Sequence, residues 1–409
     1  MKKFLVLIIA FFFLCGCEKS IEVFEEDKSA AVNVIYNDNL EVGFLDKVKV
    51  SDFIKEINGT VNDYEIDTTE VGIKKVEYEF INEDGIKVKQ SFNINIIDKK
   101  APVIWVSGTY TLTKGENIDV AKRIMCADDY DDNPNCIIEG NYDSNKVGNY
   151  NLKYIARDSS GNESTKNFIL KVVNPSNNNS SSGNQSRTNF SDVVKKYKTA
   201  NTEIGLDISK WQGDINFDKL KEAGVEFVFI RVGVAAGQGK ENNVDVKYEY
   251  NIKEANRVGI PVGIYFYSYA DSKNRAIEDA KWVIEHIKDY KIDLPVAYDW
   301  ERWNAYNEYH QSIYHLTENA KAYLDTLKKA GYNGLLYSSK TYLENIWYDT
   351  GYDVWLAHYT KQTSYKGQYT YWQMCADGKV DGIDGAVDIN IRYLNKWKLV
   401  YFFIFFWYN

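Results

Sequence analysis

In the C-terminal half of the chain, Leu294-Pro-Val-Ala-Tyr-Asp-Trp-Glu301 runs apolar and then ends in two carboxylates, Asp299 and Glu301, with one residue between them. The apolar part has the texture of a short strand, in which residues two apart share a face, about 6.6 to 7 Å apart along the chain. Both acids therefore front one site. Two carboxyls held together in partly apolar surroundings do not ionise equally: one keeps its proton while the other becomes an anion. A proton donor beside an anion is the equipment for cleaving a glycosidic bond. Alone, the pair reads equally well as the solvated end of a strand, so the surrounding elements must decide.

From Ile204 onward strands and helices alternate. Strands are expected at 204–209, 227–233, 261–270, 294–301, 334–338, 353–358, 369–374 and 387–391, and helices at 216–223, 246–258, 273–288 and 317–330. Repeated strand–helix units imply parallel strands with right-handed crossovers. Eight strands in this order predict a β/α barrel of the TIM type with an incomplete helix set, whose chemistry gathers at the C-terminal ends of the strands. There the first strand brings Asp207, the fourth Asp299 and Glu301, and the eighth Asp388, so that four carboxylates from three strands meet at one mouth. Tyr265, Tyr267 and Tyr269 alternate on the third strand and Trp372 lies on the seventh; Tyr267 and Trp372 are expected to wall the substrate site. Arg231 ends the second strand, facing either a substrate carboxylate or a structural ion-pair partner.

The motifs Gly205-x-Asp207-x-Ser209-x-Trp211-Gln-Gly213, Asp299-x-Glu301, Tyr371-Trp372-Gln373 and Gly382-Ile-Asp-Gly385-x-Val-Asp388-x-Asn390 follow in an order that resembles glycoside hydrolase family 25, the lysozymes that cut bacterial peptidoglycan. The resemblance covers about residues 204–394. It implies N-acetylmuramidase activity, the hydrolysis of the β-1,4 bond between N-acetylmuramic acid and N-acetylglucosamine. Combined with the chemistry of the residues, it makes Glu301 the general acid and Asp299 its partner, which orients the N-acetyl group of the substrate or stabilises an oxocarbenium-like transition state. Asp207 and Asp388 match the other two site acids and would hold sugar hydroxyls or position water. No cofactor and no metal is expected: His286, His310, His315 and His358 lack the spacing of a zinc site. A chitinase-like barrel also ends a strand in Asp-x-Glu, but Val296-Ala-Tyr298 stands here in place of the acidic run that usually precedes it. The reading from another class is a non-catalytic wall-glycan-binding or adhesive lipoprotein, against which the clustered acid pair counts.

Met1-Lys-Lys, an apolar run from Phe4 to Leu14 and then Cys15-Gly16-Cys17 resemble a bacterial lipoprotein signal, with residues 1–16 removed and Cys17 lipidated. The run is short for a membrane span, and an uncleaved N-terminal anchor is the alternative. Cys126 and Cys136 are expected to pair as a disulfide in an exported chain, leaving Cys375 as a small buried hydrophobe. Between Ile21 and Val173, short alternating strands repeat at an offset of 76 residues: Val71-Gly72 maps onto Val147-Gly148, Tyr78 onto Tyr154, Gly85 onto Gly161, Phe92 onto Phe168 and Ile94 onto Leu170. Two all-β sandwich modules are therefore expected, 17–98 and 99–173. The second resembles the immunoglobulin-like modules of bacterial surface proteins. The acidic run Asp128–Asn133 departs from a calcium loop at Pro134 and Gly140 and is expected to be a solvated turn. Residues 174–203 are expected as a Ser/Asn-rich linker, 204–394 as the barrel, and 395–409 as an apolar tail of unknown role.

A net charge of -9 argues against a nucleic-acid partner. The 32 Tyr and 10 Trp suit carbohydrate binding, although core filling uses the same residues. The sequence thus predicts a multidomain monomer, lipid-anchored to the outer face of a bacterial membrane, with peptidoglycan glycan strands as its partner.

Overall fold

A computed structural model describes residues 22–24, 32–106, 108–175 and 187–394. The expected signal peptide, the lipidation site Cys17, much of the Ser/Asn-rich linker and the apolar tail lie outside the described residues. Two compact units make up the chain, Met1–Lys100 and Ala101–Asn409.

The first unit is built on a long antiparallel hairpin, Gly72–Asn82 with Lys87–Ile97. Glu41–Gly43 runs parallel along the second strand, and Gly59–Val61 pairs with the first. Side chains alternate faces along a strand, so Val76, Tyr78, Phe80, Phe92, Ile94 and Ile96 share the buried side, where they meet Tyr36, Val50, Phe53 and Ile66.

The second unit opens with the same arrangement 76 residues later. Gly148–Arg157 and Glu163–Val173 form the hairpin, and Tyr154, Phe168 and Leu170 are buried where the first unit has Tyr78, Phe92 and Ile94. A two-stranded sheet, Val103–Trp105 with Met125–Ala127, covers this core, and the Cys126–Cys136 disulfide ties it to the strand Asn135–Glu139 of the larger sheet.

The linker is shorter than the sequence suggests. Thr188–Asn189 pairs with the end of a barrel strand, and a helix α1 (Phe190–Tyr197) follows at once. Phe190 and Val193 share one face of this helix and are buried in the barrel core, which is what removes the segment from the linker.

The rest is a sheet of eight principal strands: β1 (Thr202–Ile208), β2 (Val228–Ala235), β3 (Val262–Tyr267), β4 (Val296–Asp299), β5 (Gly334–Ser339), β6 (Asp353–Ala357), β7 (Tyr371–Lys379) and β8 (Val387–Tyr393). The helices α2 (Phe217–Glu222), α3 (Tyr248–Val258), α4 (Lys273–Ile287), α5 (Ile313–Lys329) and α6 (Lys340–Asn345) connect the first six strands. β1 to β7 are parallel neighbours in order, and β8 pairs with both β7 and β1, so the sheet curls until it closes. β8 is antiparallel to both neighbours. The connection Val380–Ala386 is too short for a crossover helix, since parallel strands need a dozen or more linking residues. A hairpin is the only way back, and it brings the start of β8 rather than its end to the mouth.

Inside the closed sheet lies an apolar plug of Phe227, Phe229, Leu335, Trp355 and Tyr371, with Phe229 stacked on Trp355 at 4.4 Å between ring centroids. Two glycines make room for it. A Cβ on Gly205 would lie 2.4 Å from the Phe227 carbonyl oxygen, and one on Gly263 would lie 2.4 Å from the Phe229 ring. Gly263→Ala is therefore expected to destabilise the fold by about 1–3 kcal/mol through overpacking, read as a lower denaturation midpoint; an unchanged midpoint would contradict this account of the plug.

Candidate active site

The alternation along each strand decides which residues enter the mouth above the plug. On β1, Gly205 faces inward, and so does Asp207 two residues later. A capping turn then ends the strand: the Ser209 Oγ accepts from the Trp211 N–H at 3.3 Å, and the Ser209 N–H donates to the Gln212 Oε1 at 2.8 Å. On β4, Ala297 lies in the plug and Asp299 follows it inward, while Tyr298 and Trp300 pack outward. The regular strand stops at Asp299 rather than at Glu301, but the alternation continues, and Glu301 stands open to solvent at the mouth.

The register of β1 with β8 sets Asp207 directly opposite Asp388. Directly opposed side chains have Cβ atoms about 4.5 to 5.5 Å apart. The Asp207 Oδ2 accepts from the Asn390 Nδ2 at 2.7 Å and from the Gln373 Nε2 at 3.0 Å. These donors are themselves held. The Trp355 Nε1 donates to the Asn390 Oδ1 at 2.8 Å, and the Tyr337 and Tyr359 hydroxyls donate to the Gln373 Oε1 at 2.8 and 3.1 Å. Strands β1, β5, β6, β7 and β8 thus all converge on one carboxylate.

Burial raises the Asp207 carboxyl, and the Asn390 and Gln373 hydrogen bonds pull it back. Asp388 is pushed up to about 9, first by desolvation and then by the charge of Asp207 and its hydrogen bond to that group. The proton of this pair therefore resides on Asp388 and the charge on Asp207. Asp299 is raised well above the carboxylate range by burial, then by Glu301 and Asp207, with Arg231 opposing. Its Oδ1 is buried without a hydrogen-bond partner among the described residues. Glu301 is raised by desolvation and further by Asp207, against a hydrogen bond from Tyr337. The mouth is thus a cluster of carboxyls that holds protons past the ordinary range, with the most accessible of them at its rim.

The structure brings Asp207, Asp299, Glu301 and Asp388 together. Tyr267 joins them: its hydroxyl is raised by burial and by the charges of Asp299 and Glu301, and its ring lies 5.4 Å from that of Tyr269. Trp372 does not belong in the mouth. It lies between Tyr371 and Gln373, both inward, so it points out, with its Nε1 bonded to the His358 carbonyl at 2.9 Å and its ring 6.0 Å from Tyr197. Arg231 resolves as a buried ion pair with Asp245, its Nε 2.8 Å from the carboxylate. Tyr337 carries no signal in the sequence, Tyr265 and Tyr359 stand there only as possible walls of the site, and Gln373 and Asn390 only as members of motifs, without a role. The signal for Gln373 and Asn390 is a lone amide on an apolar strand at even spacing from an inward residue, Tyr371 or Asp388.

Residues 206–383 match the model for Glycosyl hydrolases family 25. This stretch is a glycosyl hydrolase family 25 domain. The chain is 27% identical over 189 residues to the autolytic lysozyme of Clostridium acetobutylicum, covering 46% of this chain and 54% of that protein. It is 26% identical over 210 residues to lysozyme M1 of Streptomyces globisporus, covering 46% and 66%. Among solved structures, that of the modular autolysin LytC from Streptococcus pneumoniae in complex with a synthetic peptidoglycan ligand superposes with a TM-score of 0.44 and 28% identity, over 59% of this chain and 56% of that one. The chain therefore spans about half the length of the first of its curated relatives. The matched stretch holds Asp207, Asp299, Glu301 and Gln373, and Asp388 and Asn390 follow it on β8.

The Asp388 proton has a consequence for stability. Between the ordinary aspartate value of about 3.9 and about 9, an unfolded Asp388 is ionised while the folded one is protonated, so its contribution to stability falls as pH rises through that window. Asp388→Asn, which cannot ionise, is expected to melt above the wild type at pH 7.5 and to lose this advantage at pH 3.5. Equal melting shifts at the two pH values would contradict the assignment.

Proposed function

We propose that the chain hydrolyses the β-1,4 bond between N-acetylmuramic acid and N-acetylglucosamine in peptidoglycan, with Glu301 as the general acid. The observation that carries this reading is the division of labour among the acids of a family 25 domain: a solvent-open carboxyl with a raised pKa stands beside a buried one whose Oδ1 has no partner among the described residues. Glu301 donates its proton to the leaving glycosidic oxygen. Asp299 directs its Oδ1 to the N-acetyl group of the sugar or to the developing positive charge. Asp207 keeps its charge between two amide donors, raising Glu301 by its field, while Asp388 shares its proton with Asp207 and offers its second oxygen to a sugar hydroxyl or water. Tyr267 walls the site on the β3 side.

The same reading places the enzyme on the outer face of a bacterial membrane, anchored through Cys17, with two immunoglobulin-like modules ahead of a TIM-like barrel and a single chain as the working unit. It rests on the basic start Met1-Lys-Lys, the apolar run to Leu14, the Gly16-Cys17 junction and the 76-residue repeat.

Incubating the full chain with purified peptidoglycan, followed by borohydride reduction and mass analysis, is expected to give fragments ending in reduced muramic acid. Glu301→Gln is expected to lower the rate by about 10²–10⁴-fold, the usual contribution of a positioned acid, while wall binding is retained. Binding without cleavage by the wild type would make the mouth a glycan-binding site instead.

A further inference from the structure

The segment that follows Glu301 has little regular structure of its own. Trp303–Tyr309 is a 3-10 helix broken at Ala305, and His310 adopts φ 47°, a left-handed conformation that a residue other than glycine rarely takes. Its aromatic residues pack on the barrel, with Trp303 against Trp300, Tyr342 and Trp347, and its polar anchor comes from the second β module. The Asn307 side chain bonds the edge of Met125–Ala127 as another strand would: its Oδ1 accepts from the Cys126 N–H at 3.0 Å, and its Nδ2 donates to the Ile124 carbonyl at 2.9 Å. Beyond the segment, the start of α5 leaves N–H groups without partners in the helix. The Asp128 and Asp129 carbonyls accept from Ile313 and Tyr314 at 2.8 and 3.3 Å, and the Asp132 carboxylate takes the Ser312 N–H and the His315 Nδ1, each at 2.7 Å. The acidic run is therefore a docking loop and not a solvated turn, because helix donors replace water on it.

The two-stranded sheet that carries this edge is apolar on both sides. Ile104 and Cys126 face the core of the module, while Met125 and Ala127 are buried in the barrel core and Val103 and Trp105 pack against it. Trp105 meets Tyr342, which stacks on Trp303 at 4.0 Å, two residues from Glu301. A free-standing module would expose that face, which is a cost in apolar surface that only the barrel removes.

We propose that the second β module is a positioning element of the active site: through Asn307 it fixes the segment continuous with Glu301, so that a module outside the family 25 match sets the rate of cleavage. This rests on the proposed muramidase reading. Both polar atoms of the Asn307 side chain are taken up by the module backbone, so it acts through the segment it anchors, and displacement of a catalytic group by about 1 Å costs up to about 10²-fold.

The test compares the full chain with Asn307→Ala on soluble glycan strands. The expected result is a kcat about ten- to a hundredfold lower with KM little changed, and an alkaline limb of the pH profile displaced because Glu301 has moved. Tyr348→Phe is the control, since it removes a bond of the same interface that does not involve Asn307, that of the Tyr348 hydroxyl to Asp129 at 3.2 Å; its kcat is expected to stay at the wild-type level. Asn307→Asp, which keeps the acceptor and removes the donor, carries the test if the alanine variant does not fold. An active wild type with unchanged kcat in the Asn307 variants overturns the proposal and leaves the muramidase reading intact. If the wild type itself does not cleave, the muramidase reading fails, and amide hydrogen exchange of residues 302–311 decides the positioning: faster exchange in the Asn307 variant than in Tyr348→Phe supports it, and equal exchange overturns it.

Discussion

A carboxylate taken out of water costs several kcal/mol unless hydrogen bonds replace its hydration, and the barrel is arranged around that requirement at Asp207. Two amides, Asn390 and Gln373, supply the donors, and Trp355, Tyr337 and Tyr359 hold those amides in turn. The network spans the closure of the sheet, where β7 and β8 return to β1. Closure and chemistry therefore share a cause. If β8 ran parallel to its neighbours, the start of the strand would lie at the far end of the barrel and Asp388 would not face Asp207. The short hairpin that forces β8 to be antiparallel is what puts the second carboxyl, and its proton, beside the first.

Much of this was legible in the sequence because strands repeat with period two. That period placed Asp299 and Glu301 on one face even though the regular strand ends at Asp299, and it made the 76-residue repeat visible as hairpins with matching buried residues. The same period, applied to Tyr371-Trp372-Gln373, turns Trp372 outward and Gln373 inward, so aromatic character alone is a poor guide to the mouth. The docking of the second module was not legible, because its bonds run to backbone atoms such as the Ile124 carbonyl and the Cys126 N–H, which no side chain announces. Only the double-sided apolar strands Val103–Trp105 and Met125–Ala127 hinted that both faces would be covered. The helix α1 was hidden by the polar stretch ahead of it, although Phe190 and Val193 already marked a buried face.

The aromatic content, which suits sugar binding, is largely spent inside. Phe227, Phe229, Trp355 and Tyr371 form the plug, and Trp300, Trp303, Tyr306 and Tyr309 pack under the segment after Glu301. These two layers work on the acids from below and from outside. The plug withholds water from Asp207 and Asp299 and so raises both, and the outer cluster backs the rim where Glu301 stands. Burial is thus the leading cause of every shifted carboxyl in the mouth, with the charge of one acid on another in second place for Asp299 and Asp388.

The central claim, that the mouth carries fewer charges at neutral pH than it has carboxyls because Asp388 holds its proton beside an ionised Asp207, is tested most directly by following the side-chain carboxyl carbons by NMR from pH 3 to 10 in the chain labelled at aspartate and glutamate. The account predicts a carboxyl that titrates near pH 9 and is absent from the spectrum of Asp388→Asn. Carboxyls that all titrate below pH 5 would contradict it.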